Sequence, residues 1–311
     1  MTSLSEAKPR VGVIGLGAMG MGTATALLEQ GFEVTGCDVN EAARAGFERA
    51  GGRSVSEPAD LSATSDVVLL VVVNAAQVEQ VLFGEFGIVG GLKPGSLVIQ
   101  CATVAPAVAR AIADRLGQEG IEMLDAPISG GAAKARAGQL SVMASGSSHV
   151  FELAEPVLDA MAAIVYRLGD APGIGSSMKL VNQLLAGVHI AAAAEAMAMA
   201  IRMGLPPEVV YEVITHSAGN SWMFENRVPH ILKGDYTPLS AVDIFVKDLN
   251  IVHETGRELA MPTPVAASAL QQFTAAKSAG FGKEDDSAVI KVYERLAGIK
   301  LPDAANDSGE E

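Results

Sequence analysis

A lysine and two side-chain amides occur close together in GSSMKLVNQLLAG, a small and apolar stretch at residues 175–187. Lys179, Asn182 and Gln183 stand at positions i, i+3 and i+4, so a helix would place them on one face. Free lysine titrates at roughly 10.4, and desolvation lowers that value by several units, which turns a buried amine into a usable base. The pattern predicts a face that holds one small polar ligand. The alternative is a lysine that reaches solvent, with amides that satisfy neighbouring backbone.

A glycine-rich motif lies near the start of the chain, in VGVIGLGAMGMG. Its candidate cofactor-binding residues are Gly15, Leu16, Gly17, Ala18, Met19 and Gly20. The glycines have the G-x-G-x-x-G spacing, directly after a strand-like run and before a helix-like one. In such a turn the backbone can approach a pyrophosphate, and the helix N-terminus attracts the anion. The spacing predicts a dinucleotide site rather than a glycine-rich turn that binds nothing.

Asp38 supports this interpretation, because it ends the next strand-like run, FEVTGCD, 18 residues after Gly20. An acid at this place can accept hydrogen bonds from both hydroxyls of the adenosine ribose. Its charge would repel a 2′-phosphate, and no arginine follows immediately, so NAD is favoured over NADP. Arg44, one or two turns further on, could soften that preference.

Two further strand-like runs end in polar residues. LDAPISGG brings Ser129, Gly130 and Gly131 to the end of a strand, where a hydroxyl and unhindered N–H groups suit a carboxylate. Thr103 follows SLVIQCA and could lie on the nicotinamide side. In parallel sheets such strand ends receive ligands. The alternatives are a simple turn and a loop threonine.

A charged pair and an aromatic pair leave more than one interpretation open. Lys247 and Asp248 are adjacent in the apolar helical run IFVKDLNIV. Either they form a salt bridge at a domain interface, or Lys247 reaches a cleft and Asp248 tunes it. Trp222 and Phe224 in SWMFENR are expected in a core or a subunit contact more than in a substrate wall.

The elements that must position these residues follow from the hydrophobic pattern. Between Arg10 and about Gly169, seven apolar runs alternate with amphipathic stretches: VGVIG, FEVTGCD, VVLLVVV, SLVIQ, IEMLDA, LSVMAS and VYRLG. Continuous apolar runs predict strands covered on both faces, and therefore an α/β domain with a doubly wound parallel sheet. Helical periodicity then continues to about residue 298. We expect a dinucleotide-binding domain at 1–173, an all-α domain at 174–300 and a mobile acidic tail at 301–311.

One apolar stretch, from Ser176 to Met203, is long enough to form a helix of roughly 40 Å. Alanine supplies most of its apolar character, and charged residues interrupt it, so we expect a buried helix that joins two domains or two subunits rather than a membrane span.

Composition excludes several classes of function. The chain has 311 residues, a net charge of −14 and a pI near 4.8, which argues against nucleic acid as a partner. The two cysteines and five histidines lack metal-ligand spacing, so no metal is expected. Without an apolar leader the chain is expected in the cytoplasm, away from membranes.

Four motifs taken in order, GLGAMGMG, DAPISGG with a downstream AxxG, the Lys179 helix and VKDL, resemble those of the β-hydroxyacid dehydrogenase family. The resemblance runs from about residue 10 to residue 300. It implies a Rossmann domain, a helical domain built on a long interdomain helix, and a homo-oligomer, either a dimer or a tetramer. It also implies an NAD-dependent dehydrogenase that oxidises the CH–OH group of a small hydroxy acid.

The resemblance assigns roles to individual residues. Lys179 matches the catalytic lysine of the family, Asn182 a substrate-binding asparagine, and Ser129 to Gly131 the loop that holds the substrate carboxylate. Gln183 and Asp248 are expected beside the substrate. The positions that match cofactor contacts are Val72, Val73, Gln77, Thr103 and Lys247. The family commonly reads Lys-x-x-Asn-Asn, so Gln183 is a departure that would reshape the pocket, and Val72, Val73 and Gln77 also depart from the usual residues.

The expected reaction is oxidation of a short polyhydroxylated carboxylic acid with Lys179 as general acid and base. Two alternatives are a reductase of a β-semialdehyde and a catalytically silent NAD-binding module that acts through oligomer contacts. The silent relatives have lost the lysine, which is present here.

Overall fold

The computed structural model of the chain describes residues 8–302. Its contacts divide the chain into two compact units, with the boundary between Lys179 and Leu180. The predicted boundary lay at 173/174, six residues earlier. The predicted acidic tail lies, from residue 303 on, outside the described residues.

The first unit is built on a six-stranded sheet in which every pairing is parallel. The strands are β1 Val11–Ile14, β2 Val34–Cys37, β3 Arg53–Val55, β4 Val67–Leu70, β5 Leu97–Gln100 and β6 Glu122–Asp125. Their order across the sheet is β3-β2-β1-β4-β5-β6. This is the Rossmann order, in which the order of strand addition reverses between β1 and β4. The predicted doubly wound parallel sheet is confirmed.

Helices cover both faces of this sheet, which explains why its strands read as unbroken apolar runs. The helices of the first unit are α1 Ala18–Glu29, α2 Glu41–Arg49, α3 Ala75–Phe83, α4 Pro106–Gln118, α5 Gly131–Arg136 and α6 Ser148–Met161. Successive strand residues point into different cores. Leu69 packs in the core that contains α1 and α6, whereas Val68 packs in the core that contains α3 and α4. Neither face of the strand meets water.

A second, three-stranded sheet follows the first. It consists of β7 Ile128–Ser129, β8 Leu140–Ala144 and β9 Ala162–Arg167, in the order β7-β8-β9. The runs LSVMAS and VYRLG, which the sequence suggested as members of the parallel sheet, lie here instead. Strand β7 pairs antiparallel with β8, whereas β9 pairs parallel with it. An apolar run predicts a strand without specifying its pairing partner, which explains the difference.

The second unit is helical. Helix α7, Ile174–Arg202, begins in the first unit and continues in the second, and it is 29 residues long. The other helices are α8 Pro207–Thr215, α9 Trp222–Lys233, α10 Val242–Glu258, α11 Pro264–Ala276 and α12 Val292–Ala297. Helix α7 is long and apolar enough to cross a bilayer by length and composition, but half of its most apolar window is buried within the chain. It is therefore a partly buried core helix.

A buried ion pair joins α9 to a 3₁₀ helix at Asp286–Lys291. The Arg227 guanidinium donates through Nε and Nη2 to the two carboxylate oxygens of Asp286, which is fully buried. Burial raises the pKa of Asp286 to about 6, although Arg227 acts in the opposite direction. Asp285, beside it, is also fully buried and accepts hydrogen bonds from Ser287 N and Oγ and from Leu239 N.

Both cysteines are buried, and they do not form a disulfide with each other. Burial raises the pKa of the Cys37 thiol to about 12, with a further contribution from the charge of Asp38. Burial also raises the pKa of the Cys101 thiol to about 12. Across residues 8–302 no group of three or more histidine, cysteine or acidic side chains could hold a metal ion.

Candidate active site

The glycine-rich loop after β1 has a backbone that only glycine accommodates. Gly15 has φ +96°, and a Cβ built there would lie 2.6 Å from the carbonyl oxygen of Val71. A Cβ on Gly20 would lie 1.8 Å from the carbonyl oxygen of Gly15. A side chain at position 15 would therefore clash with the segment after β4, and one at position 20 would push α1 away from the loop.

The start of α1 is open to a ligand. Gly17 is its N-cap residue, supplies no side-chain hydrogen bond to the first turn, and would carry a Cβ with nothing within 4 Å. Leu16 is buried beneath the loop, while Gly17 and Ala18 are exposed. Backbone N–H groups at such a helix start suit an anion. The loop fits the pyrophosphate of a dinucleotide.

Asp38 directly follows β2 and closes the far side of this loop. Its Oδ2 accepts a hydrogen bond of 2.7 Å from Leu16 N, and its Oδ1 accepts one of 2.8 Å from Asn40 N. The carboxylate is fixed by two backbone donors and remains only partly buried. The Arg44 guanidinium donates to the carbonyl oxygens of Asp38 and Val39, at 2.7 and 3.2 Å. A cation therefore lies beside the position expected for the adenosine ribose.

The segments after β4 and β5 lie at the same edge of the parallel sheet. Val72 and Val73 follow β4, and Gln77 lies in the first turn of α3. The side-chain oxygen of Gln77 accepts a hydrogen bond of 2.7 Å from Val73 N, so this side chain stabilises its own loop. Thr103 lies three residues after the end of β5 and is half-buried.

The loop after β6 approaches Lys179. Ser129 belongs to β7 and pairs with Ser141, and Gly130 and Gly131 then adopt φ +135° and +77°. The side chain of Lys179 is only 7% exposed, and its Nζ donates a hydrogen bond of 2.8 Å to the carbonyl oxygen of Ile128. This is the residue directly before Ser129. The interpretation of Lys179 as a lysine that reaches solvent is therefore wrong.

In the second unit, four side chains form a continuous polar chain. Asn182 Nδ2 donates to Gln183 Oε1 at 2.9 Å, and Gln183 Nε2 donates to Asp248 Oδ2 at 2.5 Å. Lys247 Nζ lies 2.8 Å from Asp248 Oδ1, so the salt bridge suggested by the sequence is present. Gln183 and Asp248 are buried, at 7% and 1% exposure. The oxygen and the nitrogen of the Gln183 amide both bond to protein groups, so this side chain holds Asn182 in place.

The aromatic pair divides between two environments. Phe224 is buried and stacks on Tyr211 with ring centroids 6.2 Å apart, as expected for a core residue. Trp222 is 49% exposed, so the expectation of a core position for it is wrong within this chain.

Sequence reasoning missed Asp125 and Ser176. Asp125 ends β6 within the quoted LDAPISGG, and Ser176 lies three residues before Lys179. They are hydrogen-bonded to each other across 51 positions of the chain. The available signal was an acid at the end of a strand, directly after two apolar residues, but nothing in the spacing indicated its partner.

Two family models match the chain. One, described as the NAD binding domain of 6-phosphogluconate dehydrogenase, matches residues 10–169. The other, described as the NAD-binding domain of NADP-dependent 3-hydroxyisobutyrate dehydrogenase, matches residues 173–293. Together they span most of the chain.

Individual relatives match over nearly the full length. An L-threonate dehydrogenase from Cupriavidus necator is 58% identical over 295 residues, which cover 95% of this chain and 98% of the relative. An L-threonate dehydrogenase from Escherichia coli K12 is 55% identical, with coverage of 94% and 97%. A crystal structure described as 3-hydroxyisobutyrate dehydrogenase from Salmonella typhimurium is 52% identical, has a TM-score of 0.88, and is matched over 92% of this chain and 100% of its own.

Proposed function

The chain belongs to the 3-hydroxyisobutyrate dehydrogenase-like family of NAD(P)-dependent hydroxyacid dehydrogenases, and on that premise we propose that it oxidises L-threonate at C2 to the 2-oxo acid. The observation that carries this proposal is the full-length identity of 58% and 55% to two L-threonate dehydrogenases. The buried lysine and the glycine-rich loop supply the chemistry that such a reaction needs.

NAD is the cofactor, and when bound it supplies the acceptor for the hydride that leaves the alcohol carbon. The proposed contacts of the chain with it are Gly15, Leu16, Gly17, Ala18, Met19, Gly20, Asp38, Val72, Val73, Gln77, Thr103 and Lys247. Two observations support the fit: the uncapped start of α1 for the pyrophosphate, and the fixed carboxylate of Asp38 for the ribose. That carboxylate favours NAD over NADP, since it would repel a 2′-phosphate.

Lys179 is the proposed base. Oxidation of an alcohol requires a group that takes the hydroxyl proton, and an enclosed amine can do this when it is neutral. The hydrogen bond to the Ile128 carbonyl leaves Nζ anchored directly beside the loop that we propose for the carboxylate. In the reverse reaction, the same group returns the proton to the carbonyl oxygen.

Ser129, Gly130 and Gly131 are the proposed carboxylate-binding residues. The hydroxyl and the N–H groups of this loop can donate to an anion, and the two glycines leave the backbone uncovered by side chains. Asn182 follows Lys179 by three residues on α7 and is proposed to bind a substrate hydroxyl. Gln183 and Asp248 are proposed to serve the substrate through Asn182, since their own polar groups bond within the chain.

A substrate panel tests the proposal. Purified enzyme is mixed with about twenty small hydroxy acids and either NAD or NADP, and NADH or NADPH formation is followed by absorbance. L-threonate with NAD should give the highest kcat/KM. A preference for 3-hydroxyisobutyrate, the activity named for the Salmonella structure, would overturn the substrate assignment but not the reaction class. Absence of turnover with every acid would favour the silent binding module.

Replacement of the base tests the mechanism. Lys179→Ala should lower kcat by about three orders of magnitude, within the range of general acid–base catalysis, because no other group replaces the amine. The dissociation constant for NAD, measured by protein fluorescence, should stay within about twofold of wild type. Lys93→Ala, at an exposed position, is the control and should change neither quantity. Substantial turnover by Lys179→Ala would refute the assignment.

We infer that the enzyme forms a homo-oligomer through α7. Five large apolar side chains on this helix are exposed, at spacings of four, three, four and fourteen residues: Ile174, Met178, Val181, Leu185 and Met199. An exposed apolar stripe of this kind marks a protein contact, and a second copy of the chain is the proposed partner, as a dimer or tetramer. Among residues 8–302, the one helix that is apolar enough to cross a bilayer is a partly buried core helix, and the cytoplasm is the proposed location.

A further inference from the structure

Asp125 is a fully buried carboxylate whose hydrogen-bond partners come from several segments. Its Oδ2 accepts from Gly173 N at 2.8 Å, from Ser176 N at 2.9 Å and from Ser145 Oγ at 3.4 Å. Its Oδ1 accepts from Ser176 Oγ at 2.7 Å. Its backbone also forms an antiparallel bridge with Ser145. Both oxygens are therefore fixed in the protein interior.

Three of these donors come from the start of α7. Gly173 immediately precedes the helix, and Ser176 is its third residue. The first N–H groups of a helix have no partner within it and carry a partial positive charge, so a carboxylate satisfies them well. Asp125 provides this cap from the end of β6, more than forty residues away in sequence. It thereby attaches the beginning of α7 to the edge of the sheet.

Lys179 forms the second attachment between the same two segments. It lies one turn after Ser176, and its Nζ donates to the carbonyl oxygen of Ile128 at 2.8 Å. Ile128 lies three residues after Asp125 on the segment that continues into Ser129. The two attachments close a small circuit. One side is a single turn of helix, and the other is the four residues 125–128 of the loop.

We propose that Asp125 is a positioning residue for catalysis, which holds the first turn of α7 so that the Lys179 amine lies beside the Ser129–Gly131 loop. A hydrogen-bonded circuit of this size leaves the first turn little freedom to rotate or shift. Displacement of a reacting group by about 1 Å can cost a hundredfold in rate, so a fixed first turn matters for turnover. This inference rests on the proposed role of Lys179 as the catalytic base, whereas the proposed substrate enters only through the choice of assay.

The energetic state of Asp125 agrees with this role. Burial raises its pKa, and the hydrogen bonds from Ser176, Gly173 and Ser145 act in the opposite direction. A carboxylate in the interior is costly unless its oxygens are well bonded. The buried Asp125 carboxylate is therefore stable only while Gly173 and Ser176 remain in position to donate to it.

The test compares Asp125 with a matched carboxylate. Asp285 lies in the helical unit and is equally buried. Its carboxylate also accepts hydrogen bonds from one serine, through Ser287 N and Oγ, and from a second backbone N–H, that of Leu239. Asp125→Ala and Asp285→Ala should both lower the melting temperature. Only Asp125→Ala should lower kcat, by about a hundredfold, while the KM for NAD changes by less than about twofold.

A conservative variant separates position from charge. In Asp125→Asn the amide oxygen can accept from Gly173 N and Ser176 N, and the amide nitrogen can donate to Ser176 Oγ. This variant should restore kcat to within about threefold of wild type. Positioning is refuted if Asp125→Ala keeps kcat within about threefold of wild type, or if Asp125→Asn is as impaired as the alanine variant.

If Asp125→Ala does not fold, Ser176→Ala tests the positioning role of Asp125 instead. It removes one of the donors and should lower kcat severalfold at an unchanged KM for NAD. An unchanged kcat in Ser176→Ala would refute the proposal in that case. The measurements use the acid that the wild-type enzyme oxidises best in the substrate panel. If that acid is not L-threonate, the proposed substrate is wrong, but the comparison of these variants still holds.

Discussion

Asp38 and Arg44 place opposite charges at the position that we propose for the adenosine ribose. The carboxylate is held by Leu16 N and Asn40 N, and the guanidinium is bound to the carbonyl oxygens of Asp38 and Val39. The acid disfavours a 2′-phosphate, whereas the arginine would attract one. We therefore expect cofactor preference to depend on the balance between these two residues.

Asp38→Ser should shift this balance towards NADP. The KM for NAD should rise by about tenfold or more, because a charge-assisted hydrogen bond to the ribose is lost. The KM for NADP should fall, because the repulsive carboxylate is gone and Arg44 remains. Initial rates at varied cofactor concentration give both constants. Asp66→Ser, which removes an acid paired with Arg10 elsewhere in the domain, is the control. Equal increases in both constants would contradict the prediction.

Gln183 spans the distance between Asn182 and the buried Asp248. Gln183→Asn introduces the residue common in the family, but the shorter amide cannot reach both partners. Loss of one such hydrogen bond should raise the KM for L-threonate by roughly tenfold, since about 1.4 kcal/mol corresponds to a factor of ten. Steady-state kinetics measure this. Gln272→Asn, which shortens another glutamine bonded to a carboxylate, should leave that KM unchanged; equal changes in both variants would contradict the assigned role.

The sequence predicted the local environment of several candidate site residues, because their neighbours in the chain determine that environment. The glycine-rich loop and Asp38 have a fixed spacing, and Lys179 lies in an apolar stretch that buries it. The support of Asn182 by Gln183 could not be predicted, since Gln183 and Asp248 are 65 positions apart. Contacts between distant positions leave no periodic signal in a single sequence.

At the scale of elements, the buried pair between α9 and the 3₁₀ helix Asp286–Lys291 should make stability depend on pH. The pKa of Asp286 in the folded chain is about 6, above its ordinary value of 3.8. The folded state therefore binds this proton more tightly than the unfolded state. The corresponding contribution to stability is complete below pH 3.8 and is lost as the pH rises through about 6.

Arg227→Met should expose this dependence. At pH 8 the variant leaves an ionised carboxylate buried without its partner, which should cost about 3–5 kcal/mol of unfolding free energy. At pH 5 the carboxyl is largely protonated and the loss should be clearly smaller. Urea unfolding at both pH values measures the difference. Arg227→Met combined with Asp286→Leu should recover most of the stability at pH 8, and an equal loss at both pH values in the single variant would contradict the prediction.

The elements themselves were more predictable than their pairing. Apolar runs located five of the six strands of the parallel sheet, and helical periodicity predicted a helical second unit and the long helix α7 without delimiting α8 to α12. The three-residue β3 was not predicted, because Arg53–Val55 is short and half-exposed and has no distinctive pattern. Strands β7 to β9 form a separate sheet, in which β7 pairs antiparallel with β8. Tertiary contacts determine this pairing, and a single sequence does not show them.

At the scale of the whole molecule, the exposed apolar stripe of α7 should determine the assembly. Met199→Glu places a charge on the stripe, at a side chain that is 63% exposed, and should therefore produce a smaller species. Light scattering coupled to size-exclusion chromatography measures the mass. Leu296→Glu changes an apolar side chain on α12 that is 75% exposed but lies off the stripe, and should leave the mass unchanged. A wild-type monomer would contradict the proposed oligomer.

The two buried thiols have a practical consequence. With a pKa of about 12, Cys37 and Cys101 carry almost no thiolate near neutral pH and are shielded from reagents. The protein therefore needs no reducing agent during purification or storage. A cysteine engineered onto its surface would be the sole target for a maleimide dye, so a fluorescent label could be attached without removing any native residue.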